Sequence, residues 1–145
     1  MPLEKTIEVE EGRSVTFRAS ALSPLSYRLL FKRDFFKDLD GLSELEKISE
    51  ETETGETVDS VEITTENYEM FMRIAFCMAY QGVEKGMNTA KQREFLEQYP
   101  DMWSWLDSFE TFSMLKILPE IIKLWGLNAE TQVKAKNAHP APLEN

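Results

Sequence analysis

Cysteine and histidine are almost missing from this chain of 145 residues: Cys77 and His139 are the single examples. One cysteine makes no internal disulfide, and its place inside an apolar helical pattern predicts a buried, structural thiol. One Cys and one His also fall short of the usual zinc sets. His139 stands beside Pro140 in a polar terminal stretch, where nothing is expected to hold it against a nucleophile, which argues against Ser-His-Asp or Cys-His chemistry. The six glycines are scattered at turns, and neither a phosphate loop nor a dinucleotide fingerprint is present. Basic residues are short as well: 16 Lys and Arg face 26 Asp and Glu, a net charge of −10, so a phosphate-binding surface is not expected to be the main business. No apolar run reaches the roughly 18 residues of a membrane span, and MPLEKTIEVEEG has neither the apolar centre nor the cleavage site of a secretory signal. The expectation is a soluble cytoplasmic protein that is not an enzyme, with no cofactor, no metal, and no nucleic-acid or membrane partner.

What is abundant is apolar and aromatic area, concentrated in one stretch. Asp101 to Leu127, DMWSWLDSFETFSMLKILPEIIKLWGL, holds all three tryptophans. A buried aromatic removes roughly 150 to 250 Å² from water. Such a stretch is either core or a surface for a partner.

Elsewhere, Ile7 and Val9 alternate with polar residues before Glu11-Gly12, and Val15 and Phe17 do so after it. This predicts a β-hairpin over about 6–18, its apolar face laid on helices because two strands alone are marginal in water. Ser23-Pro24 reads as a helix start, the serine capping. Tyr27, Phe31, Phe35 and Leu39 at four-residue steps then predict one helix over about 24–40, flanked by Arg28, Lys32, Arg33 and Lys37. Those four bases form either an anion-binding strip or a solvated face.

From Asp38 to Glu66 eleven acids meet one base, Lys47, and the Ser/Thr/Gly-rich part from Ser43 to Ser60 predicts a disordered acidic loop. Val61 to Ile63 is a candidate third strand. Asp38, Asp40 and Glu44 have a loop-like spacing suggestive of a cation but lack the full calcium-loop pattern. Thr64 is a candidate cap for a helix over about 65–85, apolar on nearly every side from Met70 to Tyr80 apart from Arg73, and therefore expected at the centre of a bundle. Gly82 or Gly86 is expected to end it. Its neighbourhood holds Met70, Met72, Met78 and Met87, read as core filling before an adaptable binding face. Further helices are predicted over about 90–99, capped by Asn88 or Thr89 and broken by Pro100, over 101–109, and over 113–125 with a kink at Pro119. The fold class expected is mainly α: a small helical bundle with an N-terminal β-hairpin packed on it, as one domain over 1–128, followed by a flexible tail over 129–145.

Three blocks, VTFRASAL leading into YRLLFKRDFFKDL, then MRIAFCMAYQ, then WSWLDSFETFSMLKILPEIIKLWGLN, resemble the tail assembly chaperones of siphophages and prophages of Gram-positive bacteria. The resemblance spans Thr6 to Asn128 and rests on the order and spacing of the blocks. Lys32 departs from it, standing where related sequences often carry glycine. The resemblance implies a non-enzymatic chaperone that binds the tape measure protein and keeps its apolar stripes from aggregating. It further implies help in recruiting tail tube protein, probably through a longer frameshifted form, along with self-association, residence in the host cytoplasm and absence from the mature virion. This chain is similar to the shorter form. Helix-in-groove binding would then fall to exposed members of the tryptophan-rich stretch. The candidates are Trp103, Trp105, Phe109, Phe112, Met114 and Trp125, with the Leu115, Leu118, Ile122 side packed inward. A different reading is an acidic DNA mimic or another small phage inhibitor, supported only by the run of acids.

Overall fold

The computed structural model describes residues 3–40, 64–110, 113–121 and 123–124. The chain is mainly helical, with a two-stranded antiparallel hairpin at its N-terminus: β1 (Leu3–Glu10) and β2 (Arg13–Ala19) are followed by α1 (Ser23–Phe31) and α2 (residues 35–40). Then come α3 (Thr65–Val83), α4 (Ala90–Gln98), α5 (Met102–Asp107) and α6 (Ser113–Lys116), after which residues 118–121 and 123–124 are again helical. The acidic loop over 43–60, the candidate strand at Val61 to Ile63 and the tail over 129–145 lie outside the described residues.

The hairpin turns at Glu11-Gly12, and Gly12 takes the φ of +79° that makes the turn cheap for glycine alone. Ile7 pairs with Val15 and Lys5 with Phe17, Val9 shares the buried side with Ile7 by alternation, and the register shifts between Glu8 and Glu10 as the strand enters the turn. Ile7, Val9 and Phe17 are buried and Val15 is half-buried, as the alternation requires.

Against this face lies α3. From Met70 to Gln81 every residue except Arg73 is buried, the arrangement expected of a helix surrounded on all sides. Met70, Met72 and Met78 are core residues, and Met87 alone of the four is exposed. Cys77 is buried, its thiol donating to the Ser23 carbonyl at 3.7 Å and pushed up in pKa by burial. Gly82 sits inside the last turn of α3 and does not end it. A Cβ there would stand 1.9 Å from the Thr16 carbonyl oxygen, so its absence is what lets the helix close on β2.

The helix predicted over 24–40 is broken. Lys32 adopts φ 58° and ψ 34°, the left-handed conformation in which glycine is favoured, and caps α1 by donating its N–H to the Arg28 carbonyl at 2.8 Å. The elbow keeps the aromatic spacing useful: Tyr27 still meets Phe31 and Phe35, with ring centroids 5.1 and 5.4 Å apart. Ser23 is the first helical residue, and its hydroxyl accepts from the Ser20 N–H at 3.0 Å, so it faces back into the turn and does not cap α1.

Thr64 caps α3 by accepting from the Asn67 N–H, and Thr89 caps α4 in a reciprocal box with Gln92. Buried Gln92 also donates to the Glu84 and Gly86 carbonyls and fixes the α3–α4 connection. At Pro119 the regular helix lapses at Ile117, whose N–H reaches the Met114 carbonyl three residues back. The buried side after Ser113 is Met114, Ile117, Leu118, Ile121 and Leu124. Leu115 is only partly buried, and Ile122 lies outside the described side chains. Of the side expected inward, Leu118 is buried and Leu115 packs partly against the core, and the buried set keeps the helical period across the irregularity at Ile117.

Candidate functional site

Trp103 and Trp105 part company on α5. Asp101 starts the helix by accepting from the Ser104 N–H at 2.8 Å, immediately after Pro100 has closed the approach from α4. Two helical positions are separated by about 200° of rotation, so the two indoles point in opposite directions. Trp105 is 1% exposed, and Trp103 is 61% exposed. Trp105 packs edge-on against Phe76 of α3 at 5.4 Å and against Phe109 at 5.1 Å. Its indole is core.

The remaining partner-binding candidates divide in the same manner. Met114 is buried at 2% exposure, so with Trp105 it is withdrawn from the set that can touch a partner in this conformation. Phe109 is partly buried under the Arg13 guanidinium, whose carbon lies 3.7 Å from the ring centroid. Phe112 and Trp125 lie outside the described side chains. The hairpin tip makes this end of the molecule firm. Arg13 donates to the Ser108 carbonyl at 2.8 Å, the Ser108 hydroxyl at 2.9 Å and Tyr99 Oη at 3.1 Å. Glu10 Oε2 accepts from the Glu110 N–H at 2.8 Å and the Ser113 hydroxyl at 3.1 Å. The backbone donor at Glu110, helped by Ser113 and Arg13, holds the Glu10 carboxyl below the usual carboxylate range.

On the other side, Trp103 borders an open cavity of about 260 Å³. Leu30 and Phe31 of α1, Phe76 of α3 and Met102 of α5 line it with apolar surface, and Pro100 closes one end. Arg33, Arg73, Glu69 and Asp101 stand among the lining residues as its polar part. The groove therefore joins α1, α3 and the α4–α5 elbow, three elements far apart in sequence.

Its wall is stiffened by a polar network. Tyr27 donates its hydroxyl to Asp38 Oδ2 at 2.5 Å, and Arg33 donates to both carboxylate oxygens, at 2.8 and 3.0 Å. Arg73 Nε donates to Tyr27 Oη at 3.2 Å, and its other nitrogen reaches Glu69 at 2.9 Å. The charge that interrupts the apolar run of α3 is thus satisfied on both sides, as a half-buried guanidinium must be. Hydrogen bonds from Arg33 hold the Asp38 carboxyl well below its usual range, with Tyr27 adding to them and burial opposing. Burial, reinforced by the neighbouring carboxylate, pushes the Tyr27 phenol up.

Asp38 is therefore an internal anchor on α2, while Glu44 of the candidate cation loop lies outside the described residues. Among the described residues, no group of three or more His, Cys, Asp or Glu is placed to hold a metal ion, and no helix is long and apolar enough to cross a membrane. Of the groove, sequence reasoning reached Trp103 alone. Phe31 and Leu30 had been visible as members of an apolar stripe, but nothing local marked them as partly uncovered. Comparisons with family models, curated proteins and solved structures give no match to this chain.

Proposed function

We propose that the chain is a non-enzymatic assembly chaperone of siphophage tails, binding amphipathic helices of the tape measure protein in the groove beside Trp103. The observation that carries this reading is the open apolar groove itself, with an indole 61% exposed at its edge. A monomeric protein gains nothing from leaving that area in water, whereas an amphipathic helix laid along it would bury the ring and its own apolar stripe together. The net charge of −10 keeps such a protein soluble while the groove is empty. The resemblance of the three sequence blocks to tail assembly chaperones supplies the client. Recruitment of tail tube protein through a longer form, self-association and action in the host cytoplasm belong to the same proposal.

The test is co-expression with the tape measure protein encoded beside this chain. Soluble client should rise with the intact chain and fall back with Trp103→Ala. A client that is equally insoluble with and without the chain overturns the reading.

A further inference from the structure

A second candidate surface is the outer face of α1, with exposed residues of α2 following it across the elbow at Lys32. Ser23, Ser26 and Tyr27 bury the inner face of α1, which leaves Leu25, Arg28, Leu29 and Lys32 together on the outer face at the i, i+3, i+4, i+7 spacing. Leu25 and Leu29 are 44% and 42% exposed, and beyond the elbow Phe36 is 59% exposed beside exposed Lys37. Arg28, Lys32 and Lys37 make no ion pair among the described residues, whereas Arg33 is spent on Asp38. From Arg28 to Asp40 four bases meet three acids; with Arg33 and Asp38 paired to each other, Arg28, Lys32 and Lys37 stand against Asp34 and Asp40, in a protein whose net charge is −10. The face is a basic, leucine-bearing island on an acidic molecule.

We infer that this face docks an acidic amphipathic helix of a partner protein, its apolar residues meeting Leu25, Leu29 and Phe36 and its carboxylates meeting Arg28, Lys32 and Lys37. Charge geometry selects that occupant over a membrane or a nucleic acid. An extended anionic surface feels the whole chain, because fields from exposed charges reach about 8 Å at physiological salt, and the acidic remainder is repelled. A helix about 10 to 12 Å across meets only the bases beneath it. The apolar contacts supply affinity, and the charge complementarity supplies selectivity and speed of association. This inference is independent of the groove and of the client proposed for it.

The experiment is fluorescence anisotropy on the full chain with two labelled synthetic amphipathic peptides of about twenty residues, long enough to sustain a helix. Each has leucine on one face, with glutamate on the other face in the first peptide and lysine in the second. The Leu/Glu peptide should bind, weaken as salt rises, and lose at least about tenfold in affinity to the variant Arg28→Glu/Lys37→Glu. Both substituted positions are exposed, and circular dichroism checks that the variant is folded. Trp103→Ala is the control that tells this face from the groove. Three results overturn the inference: no preference for the Leu/Glu peptide over the Leu/Lys peptide, equal binding by the double variant, or loss in Trp103→Ala alone, which assigns the peptide to the groove. Binding to phosphatidylglycerol vesicles without binding to the Leu/Glu peptide also overturns it, in favour of a lipid surface.

Discussion

Two regions of this protein, one around Trp105 and one around Trp103, are built from similar residue types and treated in opposite ways. At one end Trp105, Phe109, Phe95 and Tyr99 are tied to α3 and to the hairpin tip, where Arg13 and Glu10 make four hydrogen bonds to Ser108, Glu110 and Ser113, a fifth to Tyr99, and a cation over the Phe109 ring. At the other, Trp103, Phe31 and Leu30 surround a groove that no element of the described chain fills. The difference lies in the indoles: the hairpin end also keeps an open cavity of about 260 Å³ between β2, α3 and α4, but its Trp105 is buried, whereas the cavity beside α1 has an exposed Trp103 at its edge. Aromatic density by itself marks a stretch as energetically important without saying to whom.

The sharpest break of this comparison is Trp105→Ala, which should cost about 3 to 5 kcal/mol in chemical denaturation, as large-to-small changes in a core do. If it costs no more than Trp103→Ala, the two ends are not distinct. Next comes Gly82→Ala, also on the closed side. Its Cβ would meet the Thr16 backbone at 1.9 Å, so α3 and β2 must separate, at a cost of about 1 to 3 kcal/mol. A tolerated alanine would mean that the hairpin is not held where it is described.

Effects at the open side should be smaller and more chemical. Asp38→Asn removes a charged acceptor from Arg33 and Tyr27 and should cost about 1 to 2 kcal/mol at neutral pH. Its pH dependence gives the sign. The folded carboxyl titrates below its unfolded value, so its contribution is complete above the ordinary carboxylate pKa and is lost as pH falls through the depressed one. Denaturation curves of the wild type and Asp38→Asn should therefore converge in acid, and a constant gap would remove Asp38 from the account. Lys32→Gly relieves a left-handed non-glycine residue and should shift stability by under about 1 kcal/mol, in the stabilising direction, with glycine's greater unfolded entropy opposing the gain. Trp103→Ala should alter stability least, by about 0.5 kcal/mol or less, while reducing capture of the client.

Much of this architecture is local and was therefore legible. Alternation around Glu11-Gly12 specified the hairpin and its buried face. The apolar run from Met70 to Tyr80, interrupted only by Arg73, specified the central helix, and Thr64, Thr89 and Pro100 marked boundaries by the backbone groups they satisfy or lack. The elbow at Lys32 was not legible as a break, because a lysine at φ 58° carries no local signal and the aromatic period runs straight through it. Gly82 looked like a helix end, since only the approach of a strand from sixty-odd residues earlier shows what its missing Cβ is for. Asp38 reads in sequence as one of a run of acids, yet its partners come from α1 (Tyr27), the elbow (Arg33) and α3 (Arg73).

The tryptophan-rich stretch shows where that division falls. Its composition, with the helical period, determined that large apolar area had to be buried or shared with a partner, and it offered Trp103 and Trp105 alike as candidates for the partner. Which of the two would be core was decided by tertiary structure alone. Burial depends on what arrives from elsewhere in the chain, and here α3 and Phe109 arrived on the Trp105 side, while α1 came only far enough to make a wall beside Trp103.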